Sequence, residues 1–208
     1  FGGPLAPYIE SGDPSDDDAW LQQRLRELDA EYAPSAVGAT QDSVALAKIT
    51  AAQARLRLMP MEDSAPALPS SVLRRVQVMR AYEPRQVLLF GDVDCASLLL
   101  AERAEVHLLT RERVTRLHLQ REARRDGAFD HLRFLDVVPE VPSYDAAYLG
   151  YGPIGRGTAA LARAVRGVKA GGHVFVSLRA PWEEAFFQRL DAHALKVVEY
   201  LREVDHPY

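Results

Sequence analysis

The stretch Val87-Leu88-Leu89-Phe90-Gly91-Asp92-Val93-Asp94 joins an apolar run to a glycine and two aspartates. A short run of apolar residues that ends at a glycine is typical of a strand that is buried on both faces of a parallel sheet. The glycine marks the turn from this strand into a helix, at a place where a larger side chain would block the approach of a nucleotide. The stretch therefore predicts the first strand of a parallel sheet, with a ligand-binding turn at its end.

Helical and strand patterns alternate around this stretch from Ser70 onwards. Strands are predicted at 87–90, 106–109, 132–135, 146–149, 173–178 and 196–201. Helices are predicted at 70–79 (capped by Ser70 or Ser71), 96–103, 114–125, 158–168 (ending at Gly171-Gly172) and 183–193. Strands that alternate with helices need right-handed crossovers, which give an α/β, Rossmann-like, doubly wound and mostly parallel sheet. Ligands of such sheets bind at the carboxyl ends of the strands.

The first 69 residues differ from the rest in composition and pattern, and they predict a helical extension with a linker. A helix is expected from the acidic run Asp16-Asp17-Asp18 to about Tyr32, and a second helix over about 42–59. Residues 60–69 are rich in proline and small residues and predict an extended connector. We therefore divide the chain into an extension over 1–69 and a Rossmann-like domain over 70–208. The extension could bind a protein partner or a second copy of the chain.

Composition excludes several classes of protein. The chain has 208 residues, of which 48% are hydrophobic, so it can bury one good core. No apolar run approaches the roughly 18 residues of a membrane-spanning helix, and no export signal is recognised, so we expect a cytoplasmic protein that does not contact a membrane. The single cysteine, Cys95, and the absence of paired histidines predict neither a disulfide nor a metal site.

Two aspartates, Asp92 and Asp94, follow the glycine of the first strand. The turn has neither the GxGxxG nor the Walker pattern, so phosphate binding is not implied. An acidic turn suits a positively charged ligand such as a sulfonium or an amine. The two carboxylates could equally cap the helix that follows, and both interpretations stay open. Cys95 is expected to be a packed residue, because nearby carboxylates oppose thiolate formation.

These motifs resemble the branched-chain polyamine synthases, aminopropyltransferases that build N4-bis(aminopropyl)spermidine from decarboxylated S-adenosylmethionine. That family has a glycine and an acidic triplet after its first strand, and Gly91-Asp92-Val93-Asp94 is similar to that pattern. The preceding helix at Ser71–Val76 and the pair Tyr144-Asp145 are also similar. The resemblance runs from Ser70 to Leu178. It implies a class I S-adenosylmethionine-dependent transferase fold with S-adenosylmethionine or its decarboxylated form as cofactor.

The resemblance also implies a cofactor site. Its residues would be Gly91, Asp92, Asp94, Glu112, Asp136 and Gly150. Glu112 would accept hydrogen bonds from ribose hydroxyls. Asp136 would contact the adenine amino group, although it could instead cap its own loop.

The sequence departs from the family at Val93, Thr110 and Gly150, where acids are expected. Gly150 stands where the family has the acid that holds and deprotonates the attacking amine. Because one charged contact is worth on the order of 1.5 to 3 kcal/mol, three losses could abolish aminopropyl transfer and leave the fold intact. We therefore expect a degenerate transferase-like pseudoenzyme that binds a ligand or serves as a scaffold, with the cofactor retained or lost. The alternative is an active methyl- or aminopropyltransferase that acts on an amine or another small acceptor.

Arginines crowd the segment that follows the second strand. They are Arg111, Arg113, Arg116, Arg121, Arg124 and Arg125. The segment could bind an acidic partner or RNA, but a solvated helix face is the simpler interpretation. A net charge of −4 argues against a general nucleic-acid binder. Trp182, close to a predicted strand end, is most simply a core residue and could alternatively wall the ligand pocket.

Overall fold

The computed structural model describes residues 40–57, 66–110, 112–150, 158–177 and 195–196, together with Gln23, which lies in a helix. Several sequence predictions fall outside these residues. They are the remainder of the first N-terminal helix, the helix at 183–193, the strand at 196–201 beyond Lys196, and the placement of Arg111 and Trp182.

Helices and strands alternate along the described part of the domain. The helices are α1 (Gln41–Leu56), α2 (Pro69–Ala81), α3 (Ala96–Leu100), α4 (Arg113–Arg125) and α5 (Thr158–Gly167), with a short 3₁₀ turn at Phe129–His131. The strands are β1 (Gln86–Phe90), β2 (Glu105–Leu109), β3 (Leu132–Leu135), β4 (Tyr144–Leu149) and β5 (Val168–Val176). Among the described residues, no helix has both the length and the apolar character needed to cross a membrane.

The strands form one parallel sheet in the order β3-β2-β1-β4-β5. Phe90 at the end of β1 is in register with Leu109 of β2 and with Leu149 of β4. The chain moves outward from β1 to β3 and then crosses to the other side for β4. The point where the direction of winding changes therefore lies between β1 and β4, and this is where open α/β sheets bind ligands. The predicted doubly wound parallel sheet is confirmed.

Both faces of the sheet are covered, as the apolar run of β1 predicts. Val87 and Leu89 belong to the core cluster that α1 to α4 complete on one face, and Leu88 and Phe90 belong to the cluster under α5. All four side chains have no exposed surface. Residues that point to opposite faces of a strand must both be apolar when each face is covered. This requirement explains why polar and apolar residues do not alternate along β1.

The helix α1 packs on the domain that follows it. Ile49, Leu56 and the connector residue Ala67 lie in the same core cluster as β1. Ile49 and Leu56 are fully buried, and burial of an aliphatic side chain of this size contributes about 1.5 to 3 kcal/mol. This part of the N-terminal extension is therefore held by the core of the domain.

Three helix termini differ from the sequence prediction. Helix α5 ends at Gly167, and the pair Gly171-Gly172 lies in an irregular part of β5, where the pairing with β4 shifts. The helix α2 begins at Pro69, after Leu68, without a side-chain cap from a serine. Proline suits the first position of a helix because its missing N–H has no partner to lose there. The short helix α3 ends at Leu100, before the predicted end at 103.

Candidate functional site

The turn after β1 contacts the ends of both neighbouring strands. The N–H of Gly91 donates to the carbonyl of Leu109 at the end of β2 (2.9 Å). A Cβ atom placed on Gly150, after β4, would lie 3.8 Å from the carbonyl oxygen of Gly91. Gly91 has a φ of +72°, a backbone conformation that favours glycine. The loops after β1, β2 and β4 thus begin side by side at the carboxyl edge of the sheet.

Asp92 caps the helix that follows the turn. One of its carboxylate oxygens accepts the N–H of Ala96 and the other accepts the N–H of Ser97, both at 2.8 Å. The residue is buried, and this burial raises the pKa of the Asp92 carboxyl to about 6 against the effect of its hydrogen bonds. Of the two interpretations of this residue, the structure shows the helix cap. Both oxygens of Asp92 are occupied by backbone groups.

Asp94 is held in a different way, by an arginine and the N-terminal extension. Its carboxylate pairs with the guanidinium of Arg75 (Nη2 to Oδ2, 3.0 Å) and accepts the N–H of Ala67 (2.6 Å). Its backbone carbonyl accepts the side-chain amide of Gln53 (3.1 Å). Asp94 is only 2% exposed. The second carboxylate of the turn is therefore neutralised inside the protein, and α1 helps to hold the turn.

The guanidinium of Arg75 also joins the ends of β4 and β5. It donates to the hydroxyl of Tyr148 and to Oγ of Ser177 (3.3 Å), and these two hydroxyls are 2.9 Å apart. Ser177 in turn donates its N–H to the carbonyl of Leu149 (3.0 Å). Arg75, Tyr148 and Ser177 were not among the site residues predicted from the sequence. A signal existed, because Arg75 falls on the apolar stripe of α2, between Val72 and Met79, where a charge needs a partner.

Gly150 is fitted closely against this network. A Cβ atom at position 150 would lie 3.3 Å from Cε1 of Tyr148 and 3.7 Å from its hydroxyl oxygen. A side chain there fits only if Tyr148 moves, and the bonds to Arg75 and Ser177 hold Tyr148 in place. Position 93 is equally closed, because Val93 is 5% exposed. Neither position accepts the family's acid without a structural cost.

Among the described site residues, one carboxylate oxygen is buried and has no hydrogen-bond partner. It is Oε1 of Glu112. Glu112 follows β2 and precedes α4, and its Oε2 accepts the hydroxyl of Thr115 (2.5 Å). Within the described part of the chain, its Oε1 is shielded from water and accepts no hydrogen bond. A buried carboxylate oxygen without a donor is costly, and ligand hydroxyl groups would remove this cost.

Asp136 lies at the same carboxyl edge, one strand further along, because Leu135 of β3 is in register with Leu109 of β2. It follows β3, its side chain is 85% exposed, and it pairs with Arg116 of α4 (3.1 Å). The structure thus brings Gly91, Asp92, Asp94 and Gly150 together between β1 and β4, with Glu112 at the end of the neighbouring β2. Asp136 follows at the end of β3, with its side chain at the surface.

Cys95 is packed, as the sequence analysis expects. Its side chain is fully buried, and burial together with the charges of Asp92 and Asp94 raises the pKa of the thiol well above its ordinary range. Its φ of 61° is unusual for a residue other than glycine. Among the described residues, no group of His, Cys, Asp or Glu side chains is arranged to hold a metal ion.

The exposed face of α4 carries several arginines. Arg116 pairs with Asp136, and the guanidinium of Arg124 lies 4.7 Å from the ring centre of Phe129. Arg113 and Arg121 are exposed on the same helix. Binding of an acidic partner or RNA by this face stays a prediction.

A concave region of about 770 Å³ lies at the opposite, amino-terminal edge of the sheet. It is lined by residues 82–86, Glu105, Asp145 and residues 169–173. The carboxylate of Asp145 already pairs with Lys169 (2.9 Å) and accepts the N–H groups of Arg85 and Gln86. Because ligands of doubly wound sheets bind at the carboxyl edge, this groove is not the predicted site.

Several solved structures share the fold of this chain. A methyltransferase from Geobacter sulfurreducens is 19% identical, with 81% of this chain and 86% of that chain covered and a TM-score of 0.50. The branched-chain polyamine synthase from Thermus thermophilus, in complex with N4-aminopropylspermidine and 5′-methylthioadenosine, is 20% identical, with 76% and 54% covered and a TM-score of 0.54. The SAH-bound methyltransferase PaMTH1 from Podospora anserina is 13% identical, with 83% and 85% covered and a TM-score of 0.50.

No protein-family model matches the sequence, and no curated protein matches it. The matched region spans about half (54%) of the polyamine synthase chain. At identities of this size, similarity in structure shows the fold and leaves the reaction open. The order of the strands, the covered faces of the sheet and these structural neighbours agree on one architecture. The chain has the Rossmann-like fold of the class I S-adenosylmethionine-dependent methyltransferases.

Proposed function

We propose that this chain is a noncatalytic, transferase-like protein that binds S-adenosylmethionine or a related adenosyl ligand at the carboxyl edge of β1, β2 and β4. The observation that carries the proposal is the buried, unpartnered Oε1 of Glu112 beside the glycine turn. The motifs from Ser70 to Leu178 further support descent from a branched-chain polyamine synthase whose reaction has been lost.

The residues at this edge fit the ribose end of such a ligand. A carboxylate at the end of the second strand can accept both hydroxyls of a ribose, and Glu112 has an acceptor oxygen to offer within the described residues. Gly91 and Gly150 place no side chain between β1 and β4, where the three loops begin. Two structural neighbours bind adenosyl compounds, since one is SAH-bound and the other is in complex with 5′-methylthioadenosine. When bound, S-adenosylmethionine would supply a positively charged sulfonium with a transferable methyl group.

The same residues do not support aminopropyl transfer to an amine. An attacking amine must lose a proton, and a polyamine needs carboxylates to hold its charges. Asp92 is committed to the N–H groups of α3, Asp94 is paired with Arg75, and position 150 is a glycine. Among the described residues between β1 and β4, no carboxylate is left to act as a base. Within this described part of the site, the group that aminopropyl transfer requires is therefore missing.

Binding is tested by isothermal titration calorimetry with S-adenosylmethionine, its decarboxylated form, 5′-methylthioadenosine and spermidine. We expect the adenosyl compounds to bind and Glu112→Gln to weaken them about tenfold, because charge-assisted hydrogen bonds to hydroxyls are lost. The matched control is Glu140→Gln, at an exposed loop position, which should leave affinity unchanged. No binding by any of the adenosyl compounds would contradict the proposal.

The absence of catalysis is tested separately. The protein is incubated at high concentration with S-adenosylmethionine and candidate acceptors, and with decarboxylated S-adenosylmethionine and spermidine. Mass spectrometry then follows S-adenosylhomocysteine and 5′-methylthioadenosine. We expect no acceptor-dependent product. Formation of a methylated or aminopropylated acceptor would overturn the noncatalytic assignment and establish the active transferase as the correct alternative.

A further inference from the structure

We propose that the exposed face of α4 binds the acidic segment 10–18 of the same chain. This face, the arginine row, is formed by Arg113, Leu117, Arg121 and Arg124. None of these side chains belongs to the ligand site proposed at the carboxyl edge. The interaction would therefore exist whether or not the protein binds an adenosyl compound.

The residues of the arginine row lie on one side of α4. At about 100° per residue, positions 113, 117, 121 and 124 fall within a sector of about 80° around the helix axis. The buried residues of the helix, such as Glu122, lie on the other side. The three arginines are exposed, and Leu117 between them is 54% exposed. The row therefore presents three cations and one apolar side chain to solvent.

The positive charge of the arginine row has no counterpart in the described part of the domain. Within the described residues, no carboxylate lies at ion-pair distance from Arg113, Arg121 or Arg124. The guanidinium of Arg124 lies over the ring of Phe129. Arg116, at the flank of the row, differs from these three because it pairs with Asp136. The row is therefore a surface on which an acidic group can still form ion pairs.

The negative charge of the chain is concentrated near its amino-terminal end. The first 39 residues contain eight acidic residues and two arginines. Residues 40–208 contain 21 acidic and 23 basic residues, so they carry a net charge of +2 within a chain whose net charge is −4. Five of the eight acids lie in the segment 10–18, which has no basic residue and lies outside the described residues. Runs of like charge are typical of segments that bind an oppositely charged surface.

The length of the acidic segment matches the length of the arginine row. The eleven residues of helix from Arg113 to Arg124 span about 16 Å. Five residues of extended chain, from Asp13 to Asp18, span about 17 Å. Pro14 within this stretch favours an extended conformation over a helix. The carboxylates of the segment can therefore lie along the row from one end to the other.

The attachment of the segment to α1 brings it within reach of α4. Lys48 of α1 lies 3.3 Å from Asp126, the residue that directly follows α4. The helix α1 begins at Gln41, about 10 Å of helix before Lys48. Residues 19–39 connect the acidic segment to this helix, and a flexible chain of that length spans about 25 Å on average. The segment can therefore reach the row of its own molecule.

The same chain is favoured over other occupants of the row. Exposed ion pairs are weak individually, but attachment raises the local concentration of the segment to about the millimolar range. Weak contacts are then sufficient within one chain, whereas a separate molecule would need more of them. An exposed Leu117 in the middle of the row suits a polypeptide, and the net charge of −4 opposes the approach of a nucleic acid.

Disulfide formation measures how often the segment lies on the arginine row. Asp17→Cys is combined with Leu117→Cys, and the control combines Asp17→Cys with Val141→Cys, at an exposed apolar position before β4. The native Cys95 is fully buried and is present in both proteins. We expect the intramolecular disulfide with position 117 to form at least about tenfold faster than that with position 141. This advantage should be lost at about 1 M salt, which screens exposed charges.

Exchange of the charges provides a second measurement. Arg113→Glu/Arg121→Glu should slow disulfide formation at position 117 by about tenfold, because the row then repels the segment. Addition of Asp13→Arg/Asp16→Arg to this variant should restore the rate. Equal rates at positions 117 and 141, a rate that does not change with salt, or no restoration by the exchanged charges would overturn the inference.

The matched control for the charge reversal is Arg163→Glu/Arg166→Glu. These arginines lie on α5, which packs on the opposite face of the sheet. The control introduces the same change in net charge and should leave the rate at position 117 unaltered. An equal loss of rate in the control would overturn the inference, because net charge rather than the arginine row would then be responsible.

Two further results would assign the row to another occupant and overturn the inference. Disulfide-linked dimers whose yield rises with protein concentration would indicate a second copy of the chain. Tighter binding of a single-stranded RNA oligonucleotide by the unmodified protein than by Arg113→Glu/Arg121→Glu, measured by fluorescence anisotropy, would indicate a nucleic acid. Neither result bears on the titrations with adenosyl compounds, so the proposed function stands or fails separately.

Discussion

Arg55 of α1 and Glu122 of α4 form a buried ion pair with two hydrogen bonds. Nη2 of Arg55 is 2.5 Å from Oε2 of Glu122, and Nε is 3.1 Å from Oε1. The two side chains are 7% and 1% exposed. Two charges removed from water in this way stabilise each other, and Glu122 without this guanidinium would be a buried carboxylate that has lost its ion pair. The pair therefore ties the N-terminal extension to the domain that carries the site.

Removal of one partner of this pair should strongly destabilise the protein. We expect Glu122→Gln to lower the free energy of unfolding by about 3 to 5 kcal/mol, because the buried pair loses its negative charge and the two charged hydrogen bonds from Arg55. Urea denaturation followed by circular dichroism measures the change. The double variant Arg55→Met/Glu122→Leu should regain most of the loss, since an apolar pair needs no compensation.

The control for this prediction is the exposed pair Arg116 and Asp136. Asp136→Asn should cost less than about 1 kcal/mol, because water already solvates both charges. If Glu122→Gln lowers the free energy of unfolding as little as Asp136→Asn does, the buried pair stabilises the fold no more than an exposed pair, and the prediction is wrong.

His118 should make the protein sensitive to acid. Its side chain is buried in α4, near Arg55 and the backbone of Ala52. Burial, helped by the charges of Arg55, Arg121 and Arg125, lowers the pKa of His118 to about 4 from an ordinary value of 6.5. The unfolded chain therefore binds a proton first as the pH falls, and stability is lost between about pH 6.5 and pH 4.

The test compares His118→Met with the unmodified protein. We expect the unmodified protein to lose about 2 kcal/mol more than the variant between pH 7.5 and pH 5, because the variant has nothing to protonate at this position. Urea midpoints at the two pH values measure the difference. His131→Gln, at an exposed position, is the control for replacement of a histidine by an uncharged residue. Parallel profiles of His118→Met and the unmodified protein would contradict the prediction.

Gly172 should not tolerate a side chain. A Cβ atom there would lie 2.5 Å from Cγ1 of Val168 and 2.6 Å from the carbonyl oxygen of Asp145. We expect Gly172→Ala to cost about 3 kcal/mol, because a backbone atom of β4 must move. Gly171→Ala is the matched control, since its Cβ would meet no atom within 4 Å and only its φ of +79° opposes alanine, at about 1 kcal/mol. Thermal melts compare the stability of the two variants. Equal losses of stability would show that the atoms around Gly172 can move to accommodate a Cβ atom.

Glycine at position 83 should stabilise the protein. Glu83 follows the last turn of α2, is exposed, and has a φ of 49°, a conformation in which glycine commonly ends a helix. We expect Glu83→Gly to raise the free energy of unfolding by up to about 1 kcal/mol, because the strain of the side chain is removed. Glu83→Ala keeps the strain and should bring no gain. If both variants behave alike in urea denaturation, backbone strain at this residue is not the cause.

Sequence patterns were sufficient for the sheet because short strands rich in apolar residues alternate with helical patterns. The strands predicted at 87–90, 106–109 and 132–135 lie within β1, β2 and β3, and the alternation with helices determines that they are parallel. The same reasoning failed around Gly171-Gly172. Glycine is typical both of a helix end and of an irregular strand, and only the contacts of Gly172 with Val168 and Asp145 show which applies.

The partners of the charged residues could not be predicted in this way. Periodicity places Arg75 and Glu122 on buried helix faces, but their partners, Asp94 and Arg55, are 19 and 67 residues away in the sequence. Pairing over such distances depends on how helices pack on the sheet. For this reason the sequence showed Asp92 and Asp94 as equivalent carboxylates, whereas the structure gives them different partners and Glu112 retains the open oxygen.

The buried thiol of Cys95 provides an intrinsic probe of the turn after β1. The chain has no other cysteine, and this one is shielded from solvent directly beside Asp94. A reagent such as dithionitrobenzoate can modify it only when the turn opens, so the rate of labelling measures how often the turn departs from its native contacts. A compound that binds across Gly91 should slow this labelling, and the effect can be followed in a spectrophotometer without a label, a radioisotope or a known acceptor.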